Sequence, residues 1–242
     1  MKRKAIVLAS VSVAGICYWG TWWVLRAQGS LPTYAATFDI QQFGPTGSIV
    51  STQTAVKGER SDGSHVWVRA VLDNRSIGIR SIVDIPSRKR VTVDPVTESV
   101  TTYKLTSAEA QHLSSPAQCA SVVRGTREKI LDFQAVQQNE TITAGSRVIT
   151  IQRWVAPALN CLALRSITDI VDDRELKAHI VEQASSIQLT PPDASLFAVP
   201  ANYTERTPSQ VFAEAARRKG QECTTCTSAA SQQLDMAYRN RQ

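Results

Sequence analysis

Catalytic signatures are what this sequence most lacks. Its three histidines, His65, His112 and His179, stand apart from one another, with no HExxH or other paired spacing that would hold a metal. No serine occupies a G-x-S-x-G elbow, and Gly58, Gly63 and Gly78 build no phosphate-cradling loop. Asp62, Ser64 and His65 lie close together, but adjacent strand residues point to opposite faces, so they form no relay. Asp132 and Glu128 read as solvated strand positions rather than a glycosidase pair. No repeat of 20–50 residues is visible, which excludes a solenoid or propeller. The expectation is a protein with no catalytic residue, no metal and no cofactor.

A strong charge of one sign is also missing once the charges are located. The 242 residues carry 27 Lys+Arg against 21 Asp+Glu, but Lys2, Arg3, Lys4 and Arg26 flank the N-terminal segment alone. Residues 36–205 hold almost equal numbers of each sign, and the excess returns only in residues 206–242, through Arg206, Arg217, Arg218, Lys219, Arg239 and Arg241. A near-neutral body is no polyanion-binding surface, so nucleic acid is not an expected partner. At 43% hydrophobic and 20% charged, the composition also excludes disorder.

The one long hydrophobic run is residues 5–25, which contains no charge. As a helix it would span about 31 Å, matching the roughly 30 Å hydrocarbon core of a bilayer. Lys2, Arg3 and Lys4 before it place the N-terminus on the cytoplasmic side and the rest of the chain outside. Trp19, Trp22 and Trp23 crowd the far end, where indole rings favour the interface. Residues 1–29 are therefore a membrane anchor, or a signal segment if the chain is cut after Ala27-Gln28-Gly29. The expected location is the cell envelope, on the periplasmic side, or secreted if the leader is removed.

Four cysteines follow that segment: Cys119, Cys161, Cys223 and Cys226. An even number in an exported domain suits disulfides. Cys119 and Cys161 each sit beside a proline-containing turn, and a bridge between them would close a loop of about 40 residues. Cys223-Thr224-Thr225-Cys226 is a CxxC with no βαβ pattern around it and no histidine nearby. A local disulfide, a redox pair, a metal site and free thiols remain open for it.

The body alternates as antiparallel strands over residues 36–43, 48–60, 65–72, 77–85, 89–93, 98–105, 129–138, 147–155 and 161–170, with 176–189 as a strand pair or short helix. Turn compositions such as Gly44-Pro45-Thr46-Gly47 and Ser61-Asp62-Gly63-Ser64 separate them. A short helix is expected over 107–113 with Ser107 as its cap, and a second from Pro208 to Lys219 with Phe212, Ala215 and Ala216 facing the body. The fold class is mainly β, a curved antiparallel sheet or incomplete barrel closed by short helices. Residues 30–205 form the exported domain and 206–242 a C-terminal helix with the basic CxxC tail.

The stretches Arg80-Ser81-Ile82-Val83-Asp84, Arg90-Val91-Thr92-Val93-Asp94-Pro95, Trp154-Val155-Ala156-Pro157 and Pro192-Asp193-Ala194-Ser195-Leu196-Phe197, with Tyr203, make residues 36–203 resemble exported bacterial envelope proteins of the periplasmic lipoprotein-carrier (LolA/LolB-like) type. That resemblance implies a curved sheet over an apolar cavity and a bound lipid or acyl chain. Its motifs are structural, so it carries over no functional residue. The cysteines and the membrane segment depart from it. From the alternation, the apolar face Val66, Val68 and Leu72, with Ile82, Phe133, Ile149 and Ile151 as neighbours, is the expected cavity lining. The same residues would equally make a filled core. A structural or interaction domain of the envelope with a protein partner, and a thiol-redox protein using the CxxC, are the alternatives.

Overall fold

In the computed structural model, residues 31–71, 78–115 and 126–220 are described. The chain divides into Met1–Ser30 and Leu31–Gln242, and the architecture is that of the second unit. The membrane segment, Leu72, Cys119, Cys223 and Cys226 lie outside the described residues.

Twelve strands form one open, curved sheet: β1 Tyr34–Phe43, β2 Ile49–Glu59, β3 His65–Val71, β4 Ile79–Asp84, β5 Lys89–Asp94, β6 Ser99–Lys104, β7 Arg127–Ile130, β8 Phe133–Ala144, β9 Arg147–Ala156, β10 Leu162–Asp172, β11 Glu175–Gln188 and β12 Thr204–Glu205. Their order is β12-β6-β5-β4-β3-β2-β1-β11-β10-β9-β8-β7. Two antiparallel meanders, β1 to β6 and β7 to β11, are thus zipped together by β1 against β11 from Ala35↔Gln188 to Phe43↔His179. Bulges interrupt the register at Thr37/Phe38, Gln42/Phe43 and Ala163/Arg165, where an extra residue bends a strand and sharpens its twist.

Three parts of the sheet depart from the expected pattern. Residues 129–138 are not one strand: the chain turns at Leu131, which takes φ 51°, so β7 and β8 form a hairpin with Ile130 opposite Phe133. No Gly or Asn marks that turn, so the usual signal is missing. Residues 176–189 are neither a strand pair nor a helix but most of one 14-residue strand, β11, which pairs with β1 on one side and β10 on the other. Asp173 and Arg174, at φ 49° and 66°, make the tight turn into it. The closing strand β12, parallel to β6 at Thr204↔Ser99, has no sequence signal beyond its two residues.

Among the described residues two α-helices accompany the sheet: α1, Ser107–Ser114, and α2, Pro208–Arg218. The cap of α1 is Thr106 rather than Ser107. Its hydroxyl accepts from the Glu109 amide at 3.2 Å, and the Glu109 carboxylate accepts from the Thr106 amide at 2.9 Å. Thr207 and Gln210 make the same reciprocal box on α2.

An apolar cluster packs on each face of the sheet. Cross-strand partners share a face, so Val66 with Ile82, Ile82 with Val91, and Val93 with Val100 form one apolar layer, joined by Val68. Leu196, Phe197 and Tyr203 from the segment after β11 pack onto it. Arg80 secures that strap by donating to the Ser195 carbonyl at 3.0 Å, and Arg60 lies over the Phe197 ring at 3.7 Å. The larger core, with Tyr34, Phe38, Trp154, Leu159, Leu162, Leu164 and Ala184 among its members, fills between β1, β2 and the second meander.

Candidate functional site

Of the expected lining residues, Val66, Val68 and Ile82 come together in one apolar cluster, while Phe133, Ile149 and Ile151 lie elsewhere in the sheet. Val66, Val68 and Ile82 are buried beneath the Leu196–Phe197 strap, and Phe133 packs against the larger core. Ile149 and Ile151 are half-buried on the face of β9 opposite Trp154. Val66 also borders a cavity.

That cavity, of about 340 Å³, lies against β1 to β3 and is lined by residues of α1. Alternation puts His65 and Trp67 on the face away from Val66, where Val83 lies opposite His65 and Ala110 of α1 packs on Val83. Tyr34, Lys57, Glu59, His65 and Trp67 reach the cavity from the strands, His112, Leu113 and Ser115 from α1 and just beyond it, and Asn160 and Leu162 from the turn into β10.

Glu59 is the most constrained of these. The residue is only 6% exposed. Asn160 Nδ2 donates to its Oε1 at 2.7 Å, and the Tyr34 hydroxyl also bonds to its carboxylate. Burial pushes the Glu59 carboxyl above its ordinary value, and the two hydrogen bonds pull it part of the way back. Burial, with the adjacent Glu59 charge, pushes the Tyr34 phenol far up. Asn160 reaches Glu59 from a left-handed backbone, φ 51°, followed by Cys161 at φ 60°. Cys161 is disulfide-bonded.

Lys57 follows a different logic. Its ammonium pairs with Glu182 of β11 and sits over the rings of Phe38, at 4.2 Å, and Trp67, at 5.2 Å. Arg69 stacks on Trp67 at 3.9 Å, and among the described residues the buried Trp67 Nε1 hydrogen has no partner. Burial keeps the His65 imidazole below its usual value; its Nδ1 donates to the Gly63 carbonyl at 3.1 Å, a contact that favours protonation, while the nearby Arg90 charge opposes it.

None of Tyr34, Lys57, Glu59, Trp67 or Asn160 was marked by a motif. Glu59 and Asn160 are 101 positions apart, and Lys57 and Glu182 are 125 apart, so their contacts arise only from the β1–β11 closure. The one local signal is alternation along β2, which sets Lys57 and Glu59 on the same side as Ala55.

A second groove, also about 340 Å³, lies between α2 and the sheet, lined by Ile79, Tyr103, Val211, Phe212 and Ala215 with others. Ala215 faces the sheet as expected, but Phe212 is 47% exposed. The basic cluster at the end of α2 is not free: Arg217 and Arg218 both pair with Glu214, and Arg218 also with Glu98. Among the described residues there is no metal-binding group of three or more His, Cys, Asp or Glu, and no helix long and apolar enough to cross a membrane.

No family model and no curated protein matches the chain. Solved structures similar to it include PNGF-II, at 14% identity and a TM-score of 0.45, over 76% of this chain but only 34% of the length of PNGF-II. They also include a LolA superfamily protein from Nitrosomonas europaea, at 10% identity and a TM-score of 0.34, over 72% of this chain and 93% of that one. A third is an outer membrane lipoprotein-sorting protein domain from Vibrio parahaemolyticus, at 10% identity and a TM-score of 0.33, over 74% and 94% of the two chains.

Proposed function

We propose that the domain is a non-catalytic binding module of the cell envelope that holds an amphipathic ligand such as a lipid or acyl chain. The observation that carries this reading is the cavity against β1 to β3, where Tyr34, Trp67, Leu113 and Leu162 supply apolar surface and Lys57, Glu59 and Asn160 a few fixed polar groups. Its volume of about 340 Å³ falls in the range of small-ligand sites, at the lower end. Apolar walls with a small number of oriented polar atoms are the pattern by which such sites bind the body of a ligand and align its head.

The test is direct. The full-length chain is purified, its bound lipids are extracted and identified by mass spectrometry, and a fluorescent fatty acid is titrated and displaced. Co-purified lipid or saturable displacement supports the reading; neither lipid nor displacement overturns it.

A second reading, an envelope interaction domain, is favoured by α2, which has no buried residue and leaves Phe212 at the rim of its groove. Crosslinking capture with and without residues 206–242 tests it: partners lost with that segment support it, and an unchanged partner set removes α2 as the docking element.

A further inference from the structure

We propose that the cavity selects a ligand carrying a protonated amine, whose ammonium group seats against the Glu59 carboxylate. This rests on reading the cavity as a binding site and adds the chemistry of the head group.

Several glutamates carry a cation partner, while the buried Asp94 is met by the backbone amides of Val96 and Thr97. Glu182 pairs with Lys57, Glu128 with Arg165, and Glu214 with Arg217 and Arg218. The side chain of Glu128 is 43% exposed, yet it has a guanidinium partner. Glu59 is buried and has none: its partners are the neutral Tyr34 hydroxyl and the neutral Asn160 amide, and among the described residues no cation lies within ion-pair distance of it. A buried carboxylate without a counter-charge is costly, and at the wall of a cavity it marks a place where the charge arrives with something else.

The cavity's own cations are committed. Lys57, two residues along β2 and on the same face, is held by Glu182 and the rings of Phe38 and Trp67. His65 gives its Nδ1 hydrogen to the Gly63 carbonyl, and His112 lines the cavity from α1. Tyr34 and Asn160 each donate to Glu59, so both orient a charged carboxylate and leave it lone pairs for an N–H donor. An ammonium there would make a charge-assisted hydrogen bond, shorter and stronger than a neutral one. The apolar part of the same ligand would lie along Trp67, Leu113 and Leu162.

The experiment compares octylammonium, octanol and octanoate on the full-length chain held in amphipol, by calorimetry at pH 7 with amphipol alone as the blank. The expected result is octylammonium binding about tenfold or more tighter than octanol, the size of one charge-assisted contact, with octanoate weakest. Equal affinity for octylammonium and octanol overturns the proposal, and this comparison needs no variant. If none of the three binds, the cavity is no binding site, which is failure of the functional reading itself. Glu59→Gln keeps an acceptor for Tyr34 and Asn160 and removes the charge. It should bring octylammonium and octanol to within about twofold of each other while octanol is unchanged; a retained preference overturns the assignment to Glu59. Butylammonium separates two sources of the same chemistry: a preference that persists with the short chain points to a free amine, and one that needs the octyl chain points to an aminolipid, both through the ammonium.

Discussion

Gly58→Ala should destabilise the domain, against the general expectation for a glycine in a strand. Gly58 lies in β2 in ordinary extended backbone, where alanine normally gains about 0.5–1 kcal/mol over glycine. A Cβ placed there, however, would lie 2.7 Å from Pro192 Cβ and 3.1 Å from Pro192 Cγ, with Val66 Cγ1 at 3.4 Å. The proline atoms belong to a rigid ring, so relief requires moving the strap that carries Leu196 and Phe197 onto the Val66–Val100 layer. Overpacking of this kind costs about 1–3 kcal/mol, which for a domain of this size lowers Tm by roughly 2–12 °C. Thermal unfolding followed by circular dichroism measures it. The control is a double-mutant cycle with Pro192→Gly, which removes the clashing ring; in that background Gly58→Ala should become neutral or stabilising, with a coupling of about 1–3 kcal/mol. A Tm that rises on Gly58→Ala in both backgrounds would refute the idea that the strap presses on β2.

Three further outcomes follow from the site. The Glu59 carboxyl holds its proton more tightly folded than unfolded, so its contribution to stability is complete below its ordinary value of 4.5 and is lost as pH rises through the folded value. Urea unfolding between pH 4 and 8 should therefore show the wild type losing stability with rising pH relative to Glu59→Gln; parallel curves would contradict it. Thr106→Ala removes the capping box of α1, at a cost of about 1 kcal/mol, and should weaken ligand binding as well because α1 supplies Leu113 to the cavity. Unchanged affinity in a folded variant would show that α1 does not shape the site. Non-reducing peptide mapping should recover Cys161 joined to Cys119, and Cys161→Ala should cost about 3–4 kcal/mol for a loop of about 40 residues; a Cys161 peptide linked to Cys223 or Cys226 would reassign the bridge.

Much of the sheet was legible because its strands carry period-2 alternation between strong turn signals. Gly44-Pro45-Thr46-Gly47 bounds β1 and β2, and Gly63 at φ 84° makes the turn before β3. Where the turn used a residue with no such signature, as Leu131 does, a hairpin read as one strand. The site was less legible for a different reason. Alternation correctly separated Val66 and Val68 from His65 and Trp67, but which face stays open depends on what covers each, and that is decided by Leu196, Phe197 and Tyr203 more than a hundred residues later. Glu59, Lys57 and Asn160 meet their partners across similar separations, and nothing local distinguishes them from solvated strand residues.

The choice of face has a physical cause that can be tested. A uniformly apolar layer such as Val66, Val68, Ile82, Val91, Val93 and Val100 gains most by being covered with the chain's own side chains, and the strap covers it. The opposite face carries Lys57 and Glu182, whose side chains are already only 20% and 18% exposed, so packing an aliphatic segment over them would strip the remaining water from both charges. On this argument the ion pair holds the cavity open. Replacing both with aliphatic residues of similar length, Lys57→Met with Glu182→Leu, removes that cost, and swaps of partly buried pairs for well-packed apolar groups are commonly neutral or stabilising. The double variant should therefore keep or raise Tm while losing capacity for the octyl ligands, because the face can then close on itself. Single Lys57→Met, which strands Glu182, should destabilise instead. A double variant that binds those ligands as the wild type does would show that the cavity is maintained by the backbone curvature of the sheet, with no part played by the charges.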